Sequence, residues 1–199
     1  MMLIEKTSIP DADLPVEDFK AHLRLGSGFG QEDAQDAVLT SFLRAAIAAI
    51  EGRTGKVLLR RTFSVNVSEW RNCEAYVLPV APVLEVVLVE QVARDGVRST
   101  VSAGSYWLER DGQAPRLRTK GASLPNVPQG GSVEVTFEAG FGVNWDGLPS
   151  DLRQAVMMLA AHYYEYRNDT GLSDGCMPFG VSSLIERFRL MRLGAGAQR

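Results

Sequence analysis

The sequence predicts an α+β fold, in which N-terminal helices and two C-terminal helices form a helical core with a mainly antiparallel β block inserted between them. Apolar residues recur at helical spacing near both ends, apolar and polar residues alternate in the middle, and two Asp-Gly pairs separate strand-like runs. With 199 residues, 45% of them hydrophobic, we expect one domain over 1–199. We place the helical parts at about 14–55 and 149–193, the β insertion at about 60–140 and a flexible C-terminal tail at 194–199.

The N-terminal part predicts two helices. In "LPVEDFKAHLRL", Val16, Phe19 and Leu23 fall near one stripe, and Pro15 stands at the start. After the link "GSGFGQ", the segment "EDAQDAVLTSFLRAAIAAIEGRTG" indicates a long helix with acids in its first turn and Gly55 as its stop. Its two apolar stripes are Val38, Phe42, Ala45 and Ala49 on one side and Leu39, Leu43, Ile47 and Ile50 on the other. Two stripes predict burial on more than one side.

The middle part predicts strands. "RTFSVNVSEW" and "SVEVTFEAG" alternate apolar and polar residues, as half-buried strands do. "VLEVVLVEQV" is apolar on both faces, which predicts a central strand. Asp95 and Gly96 stand between that run and "VRSTV", and Asp111 and Gly112 stand between "YWLER" and "PRLRT". Both pairs favour tight turns, so we expect two hairpins.

The C-terminal part returns to helix. Pro149, Ser150 and Asp151 provide a start, and "DLRQAVMMLAAHYYEYRND" continues the helix to about residue 168. The loop "TGLSDGCMPFG" follows. Ser183 and Glu186 have capping-box spacing, which predicts a last helix through residue 193 before the loose tail "GAGAQR".

Charge and cysteine content limit the class of protein. The net charge is −3 with a pI of about 5.5, which gives no support for nucleic-acid affinity. Residues 1–36 hold eight acids and three bases, whereas residues 181–199 hold one acid and four bases. Opposite ends of this kind could guide an assembly or simply be two solvated surfaces. Cys73 and Cys176 have no metal-binding spacing, and we expect reduced thiols in a protein made in the cytoplasm without a signal peptide or a membrane span.

The stretch "HYYEYRND" is the first candidate for chemistry. His162 and Glu165 are three residues apart, so a helix would place both on one face, where they could bind a metal. A helical metal site needs three or more ligands, and the only other histidine, His22, lies in a different helix. A hydrogen-bonded structural histidine is therefore favoured, and we expect no metal and no cofactor.

Two further candidates are weak. "GSGFG" follows no strand and precedes acidic residues that would repel a phosphate, so it is interpreted as a linker. No nucleophile-elbow pattern occurs, and a spatial pairing of Cys176 with His162 is left open. The residues alone therefore indicate an α+β assembly component rather than an enzyme.

The order of the segments carries a resemblance. "LPVEDFKAHLRL", "IEGRTGKVL", "RTFSVNV", "LPVAPVLEVVLV", "YWLE", "VTFEAGFG", "LPSDLRQAVMMLAAHYYEYR" and "PFGVSSLIERFR" occur in one collinear series over roughly residues 14 to 190. This series resembles the head–tail connector (adaptor) proteins of tailed phages and phage-like gene transfer particles. Each segment alone is weakly specific, and their common order carries the resemblance.

The resemblance implies a structural role without catalysis. Such proteins form a ring, typically dodecameric, beneath the capsid portal in the neck between head and tail. The ring extends the DNA channel, lets DNA pass without specific binding, and offers a surface to stopper or tail-completion proteins. By the same resemblance, His162, Tyr164 and Arg167 are interpreted as packing and hydrogen-bonding groups at a helix end.

The C-terminal helix is the predicted portal-docking element. Its apolar stripe and its arginines would meet the portal, and the residues concerned are Leu184, Arg187, Phe188, Arg189, Met191 and Arg192. Packing of this helix on its own subunit is the simpler alternative. A DNA-binding regulator that uses the same basic helix is the second hypothesis, and a small hydrolase or metal enzyme around His162 is the third.

Overall fold

A computed structural model describes residues 2–25, 32–167 and 177–189 of the chain. The helices are α1 (Val16–His22), α2 (Glu32–Thr54), α3 (Ser150–Glu165) and α4 (Phe179–Ile185). The strands are β1 (Met2–Glu5), β2 (Arg61–Val67), β3 (Ala75–Val77), β4 (Val83–Val92), β5 (Arg98–Thr100), β6 (Tyr106–Glu109), β7 (Arg116–Thr119) and β8 (Ser132–Ala139). Single 3₁₀ turns cover Asp11–Asp13, Ala103–Ser105, Trp145–Gly147 and Glu186–Phe188. The predicted α+β class is confirmed.

Helix α2, the longest of the described helices, packs on α1 and α3 in the helical core. It ends where Gly55 adopts a φ of +68°, a left-handed conformation that glycine reaches without strain. The α2 stripe that is fully buried in this core contains Leu39, Leu43, Ile47 and Ile50. The second stripe is not buried in the same way, because Val38 and Ala45 are exposed and Phe42 is half-buried. Phe42 and Ala49 nevertheless pack against the core, so the predicted burial on more than one side holds only in part for the single chain.

Helix α3 packs its apolar face on α2. The buried residues of α3 are Leu152, Ala155, Val156, Met157, Leu159 and Ala160. The helix ends at Glu165, about three residues before the predicted end. Pro149 precedes its first turn, in agreement with the predicted start.

Helix α4 begins earlier than predicted. Its first residue is Phe179, directly after Pro178, whose φ of −52° suits the position before a helix. The amide of Ser182 donates to the carbonyl of Pro178 at 3.0 Å, so Ser183 lies inside the helix and caps nothing. The capping-box prediction is thus wrong. The prediction that this helix continues through residue 193 is also wrong, because α4 ends at Ile185, one 3₁₀ turn follows, and Arg189 is extended with a ψ of 141°. The tail 194–199 lies outside the described residues.

The larger sheet is antiparallel and has the strand order β1-β2-β8-β4-β5. Strand β8 is its centre, and Val133, Val135 and Phe137 are buried beneath it. Strand β4 was predicted to be a central strand and does lie between β8 and β5, but Val87 is 51% exposed. Strand β5 pairs only with the last three residues of β4, and the pairing of β4 with β8 shifts register twice. These irregularities leave part of the apolar run at the surface.

The smaller sheet has the strand order β3-β7-β6. Its residues Tyr76, Leu108 and Leu117 pack into a second hydrophobic cluster, which lies in the β block and also contains Val133, Val135 and Phe137 of β8. Both predicted turns are present: Gly96 has a φ of +87°, and Asp111 accepts hydrogen bonds from two following amides. Strands β1 and β3 were not predicted, because each is short and pairs with a strand far away in the sequence.

The β block leaves and rejoins the helical core at one place. The amide of Arg60 donates to the carbonyl of Gly142, and the amide of Phe141 donates to the carbonyl of Leu58. Gly140, with a φ of +141°, lies so close to the backbone of Arg60 that an added Cβ would stand 2.6 Å from it. Only glycine fits there without displacing the backbone. Among the described helices, none combines the length and apolarity that crossing a membrane requires.

Candidate functional site

His162 lies in the last turn of α3, and its nearest aromatic neighbour is Tyr166. Its ring centroid is 4.7 Å from that of Tyr166, and Glu165 is exposed. Within 2–25, 32–167 and 177–189, no group of three or more His, Cys, Asp or Glu side chains could hold a metal ion. Cys176 lies outside the described residues, so its predicted proximity to His162 is not addressed.

Tyr164 and Arg167 are brought together at the same helix end. The Tyr164 ring meets the Phe42 ring of α2 edge to face at 6.0 Å, and the Arg167 guanidinium lies 4.6 Å from the Tyr164 ring centroid. Arg167 also donates to the carbonyl of Tyr164 at 3.1 Å. Edge-to-face and cation–π contacts of this kind stabilise packing. The helix-end role of His162, Tyr164 and Arg167 stays a prediction that this geometry favours.

The apolar half of the predicted docking stripe faces its own subunit. Phe188 is 9% exposed and meets Phe141 edge to face at 5.8 Å, while Leu184 packs against the helical core. The reason is that α4 lies along α3, with Gly180 against the Met158 side chain. Leu184 and Phe188 therefore pack on their own subunit in the single chain, and their role in portal docking stays a prediction.

The basic half of the stripe is at the surface. Arg187 covers the Phe188 ring at 4.6 Å and binds Asp151 Oδ1 at 3.0 Å, and Arg189 binds Glu186 at 3.1 Å. Both arginine side chains remain at least half exposed. Met191 and Arg192, the other two predicted docking residues, lie outside the described part of the chain.

Two ionic networks escaped the sequence analysis because each joins residues far apart in the chain. On one face of the larger sheet, Glu134 is buried and binds Lys6 at 3.0 Å and Arg98 at 2.7 Å. Burial alone would raise the pKa of Glu134, but its hydrogen bonds from these two cations outweigh burial and lower that pKa.

The second network connects the two hydrophobic clusters. Arg61 on β2 is 7% exposed and donates to Glu51 on α2 and, at 2.9 Å, to Glu5 on β1. Glu51 also accepts the amide of Leu58 at 2.7 Å. The guanidinium is thus fixed between a helix and two strands, as expected of a structural pair rather than of a binding site.

An exposed apolar surface on the smaller sheet was also missed by the sequence analysis. Trp107 on β6 is 44% exposed and Val77 on β3 is 51% exposed. Arg118 lies opposite Trp107 and Arg116 lies opposite Val77 in the register of the sheet. The alternation within "YWLE" and "RLRT" contained this signal, because it places one residue of each pair away from the core.

The charged and aromatic groups therefore belong to an α+β protein with two ionic networks and an exposed surface that carries Trp107, Arg116 and Arg118. No family model matches the chain, and no curated protein matches it. Solved structures do. The chain is 50% identical to a protein in the neck of an empty gene transfer agent particle computed with C6 symmetry, with a TM-score of 0.89 and coverage of 98% of this chain and 99% of that one.

Two further structures agree. A chain in the virion of a native gene transfer agent particle has 50% identity and a TM-score of 0.86, and a chain in the neck of a native particle computed with C12 symmetry has 47% identity and a TM-score of 0.85. Each match covers 98% of this chain and 99% of the other. The chain belongs to the head–tail connector (adaptor) family of tailed phages and phage-like gene transfer particles.

Proposed function

We propose that this protein is the adaptor of a phage-like particle: a ring in the neck, beneath the capsid portal, that extends the DNA channel and carries the stopper or tail-completion protein. The observation that carries the proposal is the full-length similarity to neck components at 47–50% identity. The protein acts as a structural part and not as an enzyme.

The cyclic symmetry of the related necks supports a ring. Their C6 and C12 symmetries are compatible with twelve copies, arranged either as equivalent subunits or as six pairs. The net charge of −3 suits a channel component, because a lumen rich in lysine and arginine would bind the phosphates of the passing DNA.

The C-terminal segment is the proposed portal-docking element. Its buried residues attach it to its own subunit, and its exposed residues are proposed to contact the portal. Val181, Ile185 and Phe188 are buried and anchor the segment to its own subunit. Arg187 and Arg189 remain accessible to an acidic portal surface. The residues after 189 add Met191 and Arg192 as the further docking residues.

The test mixes the purified protein with the portal of the same particle and images the product by electron microscopy. We expect a ring, twelve-fold or six-fold, bound to one side of the portal. If no portal complex forms in mild salt, the adaptor proposal is wrong.

Docking is tested with a chain that ends at Arg189, because this truncation retains the buried Phe188. The truncated protein should keep its thermal unfolding temperature but bind the portal at least roughly tenfold more weakly. Arg94→Glu, an exposed arginine in the β4–β5 hairpin, is the matched control for Arg187→Glu with Arg189→Glu. Unchanged portal binding by both the truncation and the double reversal would exclude this docking element.

A further inference from the structure

The smaller sheet buries one face and exposes an unusual second one. Tyr76, Leu108 and Leu117 point into the second hydrophobic cluster, so their neighbours along the strands point outward. The outward residues are Val77, Trp107, Glu109, Arg116 and Arg118, which we name the Trp107 face. A solvated face of an antiparallel sheet is normally polar, whereas this one displays a tryptophan and a valine beside two arginines.

The two arginines of the Trp107 face are held in place. Arg118 donates through Nε to Glu109, and Arg116 Nη1 lies 3.6 Å from the other oxygen of the same carboxylate. One carboxylate serves two guanidinium groups, so the five residues keep a positive charge. Side chains ordered in advance lose less entropy on binding, and tryptophan and arginine are the residues most enriched at energetic centres of interfaces.

A complementary surface lies on the helical part of the same chain. The 3₁₀ turn Asp11–Asp13 and the first turn of α1 carry Asp11, Asp13, Glu17 and Asp18, which we name the α1 acidic surface. Asp11 binds Arg44 and Glu17 binds Lys20. Among the described residues, neither Asp13 nor Asp18 forms an ion pair, which leaves two carboxylates able to receive a partner's guanidinium groups.

A closed ring needs two different surfaces on every subunit, each fitting the other on the next copy. The Trp107 face belongs to the β cluster, whereas α1 packs on α2 and α3 in the helical cluster. The two surfaces thus lie on different parts of the same subunit. We propose that the Trp107 face of one subunit docks on the α1 acidic surface of the next copy and forms the repeated contact of the ring; this inference rests on the proposed function.

Charge reversal tests the pairing. The first variant carries Arg116→Glu and Arg118→Glu, the second carries Asp13→Lys and Asp18→Lys, and the third combines all four changes at unchanged net charge. Arg94→Glu with Glu69→Lys, at two exposed positions elsewhere, is the matched control. Circular dichroism and thermal unfolding verify that each variant folds. Ring formation is then measured by mass photometry and electron microscopy with the portal present.

We expect each single-surface reversal to weaken subunit association roughly 100-fold or more, because like charges then face each other. The combined variant should recover rings, and the control should form them normally. Trp107→Ala should weaken association roughly 30-fold without altering the fold.

Other outcomes overturn the inference in distinguishable ways. Normal rings from both reversals would exclude this contact while leaving the adaptor function intact. Reversals that each abolish rings without recovery in the combined variant would show that the two surfaces do not meet each other. Intact rings that lose binding of the tail protein would assign the Trp107 face to that partner instead. If the wild-type chain forms no ring with the portal, the proposed function itself fails.

Discussion

At the residue scale, Arg61 is a buried side chain of β2 that binds both α2 and β1. It is 7% exposed and binds Glu51 of α2 and Glu5 of β1, while its guanidinium lies 5.3 Å from the ring centroid of Phe63. A buried ion pair adds little stability compared with an apolar replacement, but removing one partner leaves the other charged and unsatisfied. Removing Arg61 alone should therefore destabilise the protein more than replacing Arg61 and Glu51 together.

Arg61→Met should lower the free energy of unfolding by about 3–5 kcal/mol, because Glu51 would remain buried without its cation. Adding Glu51→Gln should recover part of that loss, since the amide oxygen can still accept the Leu58 amide. Urea unfolding of the single and double variants provides the measurement. A double variant that is less stable than Arg61→Met would contradict this account.

Glu134 predicts a specific dependence of stability on pH. Its hydrogen bonds from Lys6 and Arg98 lower its pKa below 4.5 in the folded state. A lowered carboxyl pKa contributes stability that is complete above the unfolded-state value and is lost as the pH falls through the folded-state value. The stability difference between wild type and Glu134→Gln should therefore be constant near neutral pH and shrink below about pH 4.5.

Unfolding in urea at a series of pH values between 3 and 7 would measure this difference. Glu69→Gln, at an exposed position of the same block, serves as the control. A difference that stays the same down to pH 3 would show that Glu134 is not stabilised as an anion.

At the element scale, the C-terminal helix and its 3₁₀ turn offer a matched pair of aromatic residues. Phe188 is 9% exposed against Phe141, whereas Phe179 at the start of α4 is 89% exposed. Phe188→Ala should cost about 3 kcal/mol or somewhat more, through lost burial and an unfilled cavity. Phe179→Ala should change stability by less than about 0.5 kcal/mol.

Chemical denaturation of both variants would measure the two changes in the free energy of unfolding. Equal effects of the two substitutions would mean that the 3₁₀ turn is not part of the core. The result also bears on the proposed docking, since a core-anchored Phe188 would restrict the proposed portal contact to the arginines and the residues after 189.

The elements also show what local sequence patterns can predict. The long helix, the alternating strands and both Asp-Gly turns were predicted correctly, because each depends on spacing within a few residues. The start of α4 was not, because Pro178 and the contact of Gly180 with α3 decide it, whereas Ser183 and Glu186 only imitate a cap. Strands β1 and β3 depend on partner strands that are far away in the sequence.

The same distinction applies to the candidate surfaces. The arginines of the C-terminal segment could be recognised in the sequence, but the burial of Phe188 required Phe141 from another part of the chain. The Trp107 face is formed by three strands, and its arginines and aromatic residue become neighbours only through the register of the sheet.

At the scale of the whole molecule, charge separates an adaptor from a DNA-binding regulator. With a net charge of −3, the protein should not retain double-stranded DNA at about 150 mM salt. A fluorescence anisotropy titration over a range of salt concentrations provides the measurement, with bovine histone as the positive control. Submicromolar binding that weakens steeply with salt would instead favour the regulator hypothesis.

The described part of the chain contains two hydrophobic clusters, and polar contacts at the end of α2 connect them. Lys56 is buried and donates to the carbonyl of Gly112 at 2.6 Å and to Gln113 Oε1 at 2.7 Å, which ties the helix end to the β6–β7 hairpin. Arg61 provides the other connection. The β block is thus held in a fixed orientation on the helices, as a subunit that presents surfaces from both parts requires.

The paired entry and exit of the β block have an evolutionary consequence. Residues 58–60, where the chain enters the β block, are hydrogen-bonded to residues 140–142, where it leaves the block. The two ends of the β block are therefore held next to each other at the helical core. Loops within the block can lengthen, shorten or be exchanged between particles while α2 and α3 keep their contact. Changes within the insert therefore leave the contact between α2 and α3 intact, provided that they spare the tight approach at Gly140.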